Sequence, residues 1–285
     1  MKFMELGYSL NDQSRNFGDL LLRESAGAIL DFKLVAKKYS GGSFGGSLLS
    51  QDWFKTFGNL HSDRQFLLYG CGVRSAERID QLLPESVDLL GVRGNHSQVA
   101  TGVNAIGDPG ILAPLTLKLA PNVDRPGQFL LIPHKNDPSS YSPPGFMRMS
   151  PMLMRGTSSL EFSRLIAASD FVLTGSLHVG ILAFALGTPF CFFKDEYLDV
   201  PIKFNDFADF YKLPITFASS ADVGIEFFLE NQNQWGDLGY SHFESLMNPL
   251  SGLLNLDGQM LLQKVQAYLV KREAAFNLKR LRLLV

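Results

Sequence analysis

The stretch Ser163–Pro189, SRLIAASDFVLTGSLHVGILAFALGTP, compresses a helix, a buried strand, a polar turn and a second apolar helix into 27 residues. The turn, Thr174-Gly175-Ser176-Leu177-His178, lies between two hydrophobic elements. In a parallel α/β sheet such a junction is the carboxyl end of a strand facing a helix N-terminus, the place where ligands bind. The start of that helix offers unpaired backbone N–H groups and a partial positive charge, so an anion is favoured there. His178 falls on the first turn and can exchange a proton near neutral pH. Gly187 ends the helix and Pro189 prevents its continuation.

Working outward, short apolar runs alternate with amphipathic stretches, the pattern of βα units. In the first half the pattern predicts a strand at Phe3–Leu6, a helix over Asp19–Leu30, a strand at Phe66–Tyr69, a helix at Ser75–Leu83, a strand at Asp88–Val92 and a short helix at Ser97–Gly102. Leu119–Gly127 reads as a linker. A second α/β unit then begins at Phe129–Ile132 and carries a Pro-rich loop, Pro133–Pro144. Phe190–Phe193 and Ile215–Ala218 read as strands, Asn205–Tyr211 and Ala221–Glu230 as helices, and Met260–Leu284 as a long closing helix. The expected architecture is α/β, with two halves, residues 1–124 and 125–285, facing each other across a cleft.

Length, composition and charge narrow the function. A chain of 285 residues with 46% hydrophobic and 19% charged residues is an ordinary globular protein with room for two α/β halves. A net charge of −2 excludes a general nucleic-acid binder, so any anionic ligand must be held by a local cluster of cations. Cys71 and Cys191 sit in apolar runs and read as buried thiols, and no cysteine or histidine spacing suggests a metal. No signal peptide and no membrane span are evident, so a cytoplasmic location is expected. Lys264, Lys271, Arg272, Lys279, Arg280 and Arg282 give the last helix a basic face. That face is either simply solvated or a peripheral contact with the inner face of the membrane.

Several polar groups fall where a site would. Asn16-Phe17-Gly18-Asp19 precedes the first helix, where Asp19 either caps it or faces the cleft and Gly18 permits a close approach. Ser40–Leu49, SGGSFGGSLL, matches no phosphate-loop spacing and reads as a flexible loop. Arg93 follows a predicted strand, with Ser97 opening the next helix; a guanidinium there suits a carboxylate or phosphate, or else a salt bridge. His134, Lys135 and Asp137 share the loop after another strand.

In this order these pieces resemble the polysaccharide pyruvyl transferase family. The resemblance is carried by Asn16-Phe17-Gly18-Asp19, the glycine-rich loop with Tyr69-Gly70-Cys71-Gly72, Val92-Arg93-Gly94 with Ser97, Gly107-Asp108-Pro109, Pro133-His134 with Asp137, and Ser176-Leu177-His178 running into ILAFALGTP. It implies two Rossmann-like domains facing a cleft in a GT-B-like manner, residues 1–124 on the acceptor side with part of the donor site and 125–285 on the donor side. It also implies transfer of a pyruvyl group from phosphoenolpyruvate to two hydroxyls of a sugar or lipid-linked oligosaccharide, forming a cyclic ketal without a further cofactor. The resemblance implies an Arg-Leu-His triplet where this chain has Ser176-Leu177-His178, so Arg93 or Lys135 is expected to supply the missing charge. On this reading His178 is the leading acid/base group, with Asp19 and His134 in support. Asn16, Gly18, Arg93, Ser97, Lys135, Gly175, Ser176 and Leu177 bind substrate. A nucleotide-sugar-dependent glycosyltransferase of GT-B type and a non-catalytic glycan-binding relative are the alternatives.

Overall fold

The computed structural model describes residues 16–58, 64–121, 127–153, 158–235 and 238–284. The N-terminal half contains α1 (Phe17–Ile29), α2 (Phe32–Lys38), β1 (Tyr39–Phe44), α3 (Gln51–Gly58), β2 (Gln65–Tyr69), β3 (Val87–Leu89), α4 (Asn95–Thr101) and α5 (Ala113–Thr116). There follow β4 (Phe129–Ile132), β5 (Phe146–Arg148), α6 (Ser159–Ala168), β6 (Phe171–Thr174), α7 (Leu177–Leu186), β7 (Phe190–Phe193), α8 (Ile202–Tyr211) and β8 (Phe217–Ala218). The chain closes with α9 (Ala221–Asn231), α10 (Tyr240–Met247), α11 (Leu256–Gln259) and α12 (Leu261–Arg282).

Among the described residues two parallel sheets form, one in the order β1-β2-β3 and one in the order β5-β4-β6-β7-β8. The fold is therefore mixed α/β. Strands β4, β6 and β7 are short apolar runs buried almost throughout, as strands covered on both faces must be. In the second sheet β5 lies on one side of β4 and β6 on the other, so the strand order reverses between β4 and β6. That reversal leaves a crevice beyond the strand ends. Helix α7 starts there; it is apolar around its circumference and buried at every residue but His178.

The two sheets share one core. A single apolar cluster runs from Leu67 and Tyr69 on β2, through Phe17 and Leu21 on α1, to Leu182 on α7 and Phe190 and Phe192 on β7. The chain also returns on itself. Asp31 N donates to Leu253 O at 2.8 Å and Asn255 N to Ile29 O at 2.8 Å, tying the segment before α11 to the end of α1.

The halves meet at a buried ion pair. Arg93 Nε lies 3.2 Å from Asp206 Oδ2, with both side chains fully buried. Ser97 at the start of α4 donates to the same carboxylate twice, from N at 2.9 Å and from Oγ at 2.6 Å. Two glycines of the sequence motifs make room for this contact. A Cβ on Gly72 would overlap the Arg93 guanidinium, and one on Gly94 would overlap Asp206.

Several expectations change. Ser40–Leu49 is not a loop throughout: Tyr39–Phe44 forms β1, paired in parallel with β2. Its glycines carry no side chain to alternate between faces, so the strand left no pattern in the sequence. Ser75–Leu83 is irregular apart from a 3₁₀ turn at Asp80–Leu82. Ile79 is the buried residue of that stretch, which gives a helix no apolar stripe to bury. Strand β3 as a regular ladder ends at Leu89, but parallel pairing resumes at the expected Val92, which bridges to Cys71. The expected Phe3–Leu6 strand and residues 122–126 of the linker lie outside the described residues.

The basic face of α12 is largely turned inward. Lys279 is buried and donates to Ala167 O, 2.5 Å away, and to Thr188 Oγ1, 2.9 Å away. Arg272 Nε donates to Phe184 O near the end of α7, and Arg282 pairs with Asp170 at 3.0 Å. Cations at helix carboxyl ends satisfy carbonyls that have no partner within the helix. The face the sequence offered to lipid is reduced to Lys264, Lys271 and half-buried Arg280. Among the described residues no helix is long and apolar enough to cross a membrane.

The ion pair makes a direct prediction. Asp206→Ala removes the nearer of two buried carboxylates from Arg93, leaving only Asp108 Oδ2 at 4.0 Å, and strips Ser97 N and Oγ of their acceptor; breaking a buried pair in this way costs about 3–5 kcal/mol. Chemical denaturation is expected to show that loss; a change below about 1 kcal/mol, the size of an exposed pair, would contradict the assignment.

Candidate active site

At the strand reversal a cavity of about 220 Å³ opens between the two halves. Its floor is the polar turn after β6: Ser176, Leu177 and His178 line it. Ser176 occupies the N-cap of α7 but its side chain makes no capping bond, so the first N–H groups of the helix are not closed off by it. His134 and Lys135, just past β4, form an adjacent wall. The turn after β6 packs tightly against that wall, because a Cβ on Gly175 would overlap the backbone N of His134.

The N-terminal half contributes Asn16 and Asp19 from the start of α1, Ser47 from the segment after β1, and Arg74 from the segment after β2. Capping of α1 falls to Asn16, whose Oδ1 accepts from Gly18 N at 2.9 Å. Asp19 lies in the first turn of α1, on the cavity wall. Gly18 serves a close approach, although to a side chain: a Cβ there would overlap the His178 ring at Nδ1. That contact seats the imidazole against the start of α1.

Two further residues come from beyond β7. Asp199 and Lys203, at the entry to α8, line the cavity beside Arg74. Asp199 is shared: it binds Lys203, sits 3.2 Å from Arg74 Nη2 and lies 3.7 Å from His134 Nε2. Burial works to raise the Asp199 pKa, but its hydrogen bond to Lys203 and the charges of Lys203 and Arg74 outweigh that and bring it down to about 2. Burial lowers the pKa of Lys203, despite Asp199. The cavity thus carries the cations Arg74, Lys135 and Lys203 against the carboxylates Asp19 and Asp199, at the positive end of a helix.

Both histidines are neutral in this arrangement. Burial, reinforced by Arg93 and Lys203, pushes His178 down to about 3. Burial, with Lys203, pushes His134 down to about 4. His134 also stacks on Tyr197, ring centroids 4.7 Å apart, which fixes its plane.

Arg93 and Ser97 stand apart from the other sequence candidates. Both are fully buried behind the wall. Arg93 reaches the cavity indirectly, donating from Nη1 to Ser47 Oγ at 3.1 Å. Arg74, Asp199 and Lys203 escaped the sequence reading. Arg74 follows a strand end as Lys135 does, so the same rule would have found it. Lys203, Asp206 and Asp209 recur every third residue among the apolar residues of the helix IKFNDFADFY. That spacing shows that something polar faces them without showing what.

A parallel α/β protein with a cation-lined cavity at its strand reversal is equipped to hold a small anion. The chain belongs to the polysaccharide pyruvyl transferase family, whose model matches residues 10–196. As a member of that family it is a transferase. No curated protein matches the chain. The matched span includes most of the cavity wall but ends before Asp199, Lys203 and Asp206.

The Gly18 contact can be tested. Gly18→Ala must displace the His178 ring, and a displacement of about an ångström at a reacting group costs on the order of 10²-fold in rate. Transfer activity is expected to fall by that factor while the far-ultraviolet circular dichroism stays unchanged. Undiminished activity would show that the ring is not held by this contact.

Proposed function

We propose that this protein transfers the pyruvyl group of phosphoenolpyruvate to two hydroxyls of a sugar in a surface or extracellular polysaccharide, or in its lipid-linked precursor, forming a cyclic ketal. The observation that carries this reading is the grouping of Arg74, Lys135 and Lys203 around the N-terminus of α7, with His178 in the same small cavity. Phosphoenolpyruvate is compact and bears a carboxylate and a phosphate, which matches a cavity of about 220 Å³ better than a nucleotide sugar does.

The charge expected of an arginine at Ser176 comes instead from α8. Lys203 lines the same cavity as Ser176, close enough to His178 for its charge to add to the lowering of the His178 pKa. Lys203 and Arg74 bind the phosphate, with Lys135 and the α7 N–H groups on the carboxylate. Residues from both halves, 1–124 and 125–285, complete the donor site, as in a GT-B-like arrangement of two Rossmann-like domains.

The reaction needs protons to be moved rather than a covalent enzyme intermediate. Protonation of the donor methylene makes the central carbon electrophilic, one sugar hydroxyl adds and phosphate leaves. The second hydroxyl then closes the ring. Two protons leave the hydroxyls, one of which ends on the new methyl group and the other departs with phosphate. Neutral His178 accepts a hydroxyl proton and returns it to the methylene; the negative donor beside it favours the transient imidazolium. Asp19, which lines the same cavity as His178, orients the acceptor, and His134 supports it.

Phosphoenolpyruvate is therefore expected to raise the melting temperature of the wild-type protein, and a nucleotide sugar to leave it unchanged; the reverse result would replace this reading with a glycosyltransferase. Lys203→Met removes a charged hydrogen bond worth about 1.5–3 kcal/mol and should weaken donor binding by roughly 10–100-fold in a calorimetric titration. His178→Ala should cut phosphate release in the presence of acceptor by about 10²–10⁴-fold. A His178→Ala enzyme with full turnover would remove that residue from the chemistry.

A further inference from the structure

Behind the cavity, His178 and Arg93 approach one carboxylate oxygen that has no hydrogen-bond partner. Asp108 is fully buried, and its Oδ1 accepts from Gly110 N at 2.8 Å, which caps the 3₁₀ turn Pro109–Leu112. Its other oxygen, Oδ2, makes no hydrogen bond. His178 Nε2 lies 3.9 Å from that Oδ2 and Arg93 Nη1 lies 4.0 Å from it. His178 Nε2 and Arg93 Nη2 are themselves buried with no hydrogen-bond partner. At these separations neither contact is a hydrogen bond in this structure; contacts that orient a catalytic group often close only when substrate binds.

The two edges of the His178 ring therefore face different surroundings. Nε2 points at a buried carboxylate, and Nδ1 lies against Gly18 at the start of α1, whose first turn lines the cavity. We propose that Asp108 is a positioning residue that holds the proton of His178 on Nε2, leaving Nδ1 as the basic atom presented to the cavity. A carboxylate can only accept at neutral pH, so the histidine must donate to it, and a neutral imidazole has a single N–H to give. Arg93 provides the counter-charge that keeps Asp108 ionised in the interior, and so serves the site from behind. The assignment rests on His178 being the acid/base group of the proposed transfer, but it describes the resting protein and is measurable without any donor.

The experiment is nitrogen NMR of protein labelled with ¹⁵N-histidine, the His178 signals being identified by their loss in His178→Gln. Wild type at neutral pH is expected to show His178 as the Nε2–H tautomer. Asp108→Asn supplies the decisive comparison. The asparagine oxygen must keep accepting from Gly110 N, which puts its NH₂ where Oδ2 was. A donor there faces Nε2 and reverses the tautomer to Nδ1–H. In the same variant kcat is expected to fall by about 10²-fold or more with KM for phosphoenolpyruvate little changed, as when the carboxylate orienting a catalytic histidine becomes an amide. A purely structural role for Asp108 would lower the melting temperature and leave the tautomer as it was.

An Nδ1–H tautomer or an imidazolium in the wild type overturns the proposal, and so does an Asp108→Asn protein that keeps the wild-type tautomer. Should Asp108→Asn fail to fold, the wild-type spectrum decides by itself. Failure of the donor assignment is distinguishable: the tautomer would be as expected while phosphoenolpyruvate left the spectrum and the melting temperature unchanged.

Discussion

The carboxylate of Asp206 is the contact on which the site depends. It accepts from Arg93 Nε, Ser97 N and Ser97 Oγ in a fully buried setting, and so fixes α8 against the strand ends and first helix turn of the other half. A buried ion pair adds little net stability relative to a well-packed apolar contact, because desolvation offsets the attraction. Its effect is on geometry: the alternatives leave a charge stranded, so the halves have one way to meet. Lys203 lies one helical turn before Asp206. Fixing one places the other beside Arg74 at the cavity mouth.

The same joint explains the electrostatics. Arg93 is too deep to touch a ligand directly, yet its charge acts on Asp108, Asp206 and His178 together. Burial raises the Asp108 pKa to about 6, while Arg93 works to lower it. The same guanidinium adds to burial in keeping His178 neutral. A neutral histidine is a base, suited to a hydroxyl, and the arrival of an anion in front of it moves its affinity for a proton upward. Asp199 has the complementary effect at the mouth. By binding Lys203 and standing 3.2 Å from Arg74 it keeps these like charges together until a stronger anion competes for them.

Much of this was readable from the sequence where the signal is local. Ser163–Pro189 gave the helix–strand–turn–helix order and the position of His178, since its apolar runs are long and its punctuation by Gly187 and Pro189 is strong. Seven of the residues singled out line the cavity: Asn16, Asp19, His134, Lys135, Ser176, Leu177 and His178. What was not readable depends on the partner across the joint. Arg93 looks like any ligand-binding arginine at a strand end until Asp206, 113 residues away, is seen against it. The glycines of Gly41-Gly42 hide a strand because they carry no side-chain pattern. Gly72 and Gly94 entered the reading only as members of motifs, and their role, clearing space for Arg93 and Asp206, shows only in the packing. Lys279 joined a basic face on paper and turned inward because the carbonyl end of α6 lies opposite.

The most direct test is a crystal structure of the protein with phosphoenolpyruvate. The account predicts the donor in the cavity at the start of α7, its phosphate on Lys203 and Arg74 and its methylene beside His178, with Arg93 still paired to Asp206. A donor bound elsewhere, or one that draws Arg93 away from Asp206 to make contact, would contradict it.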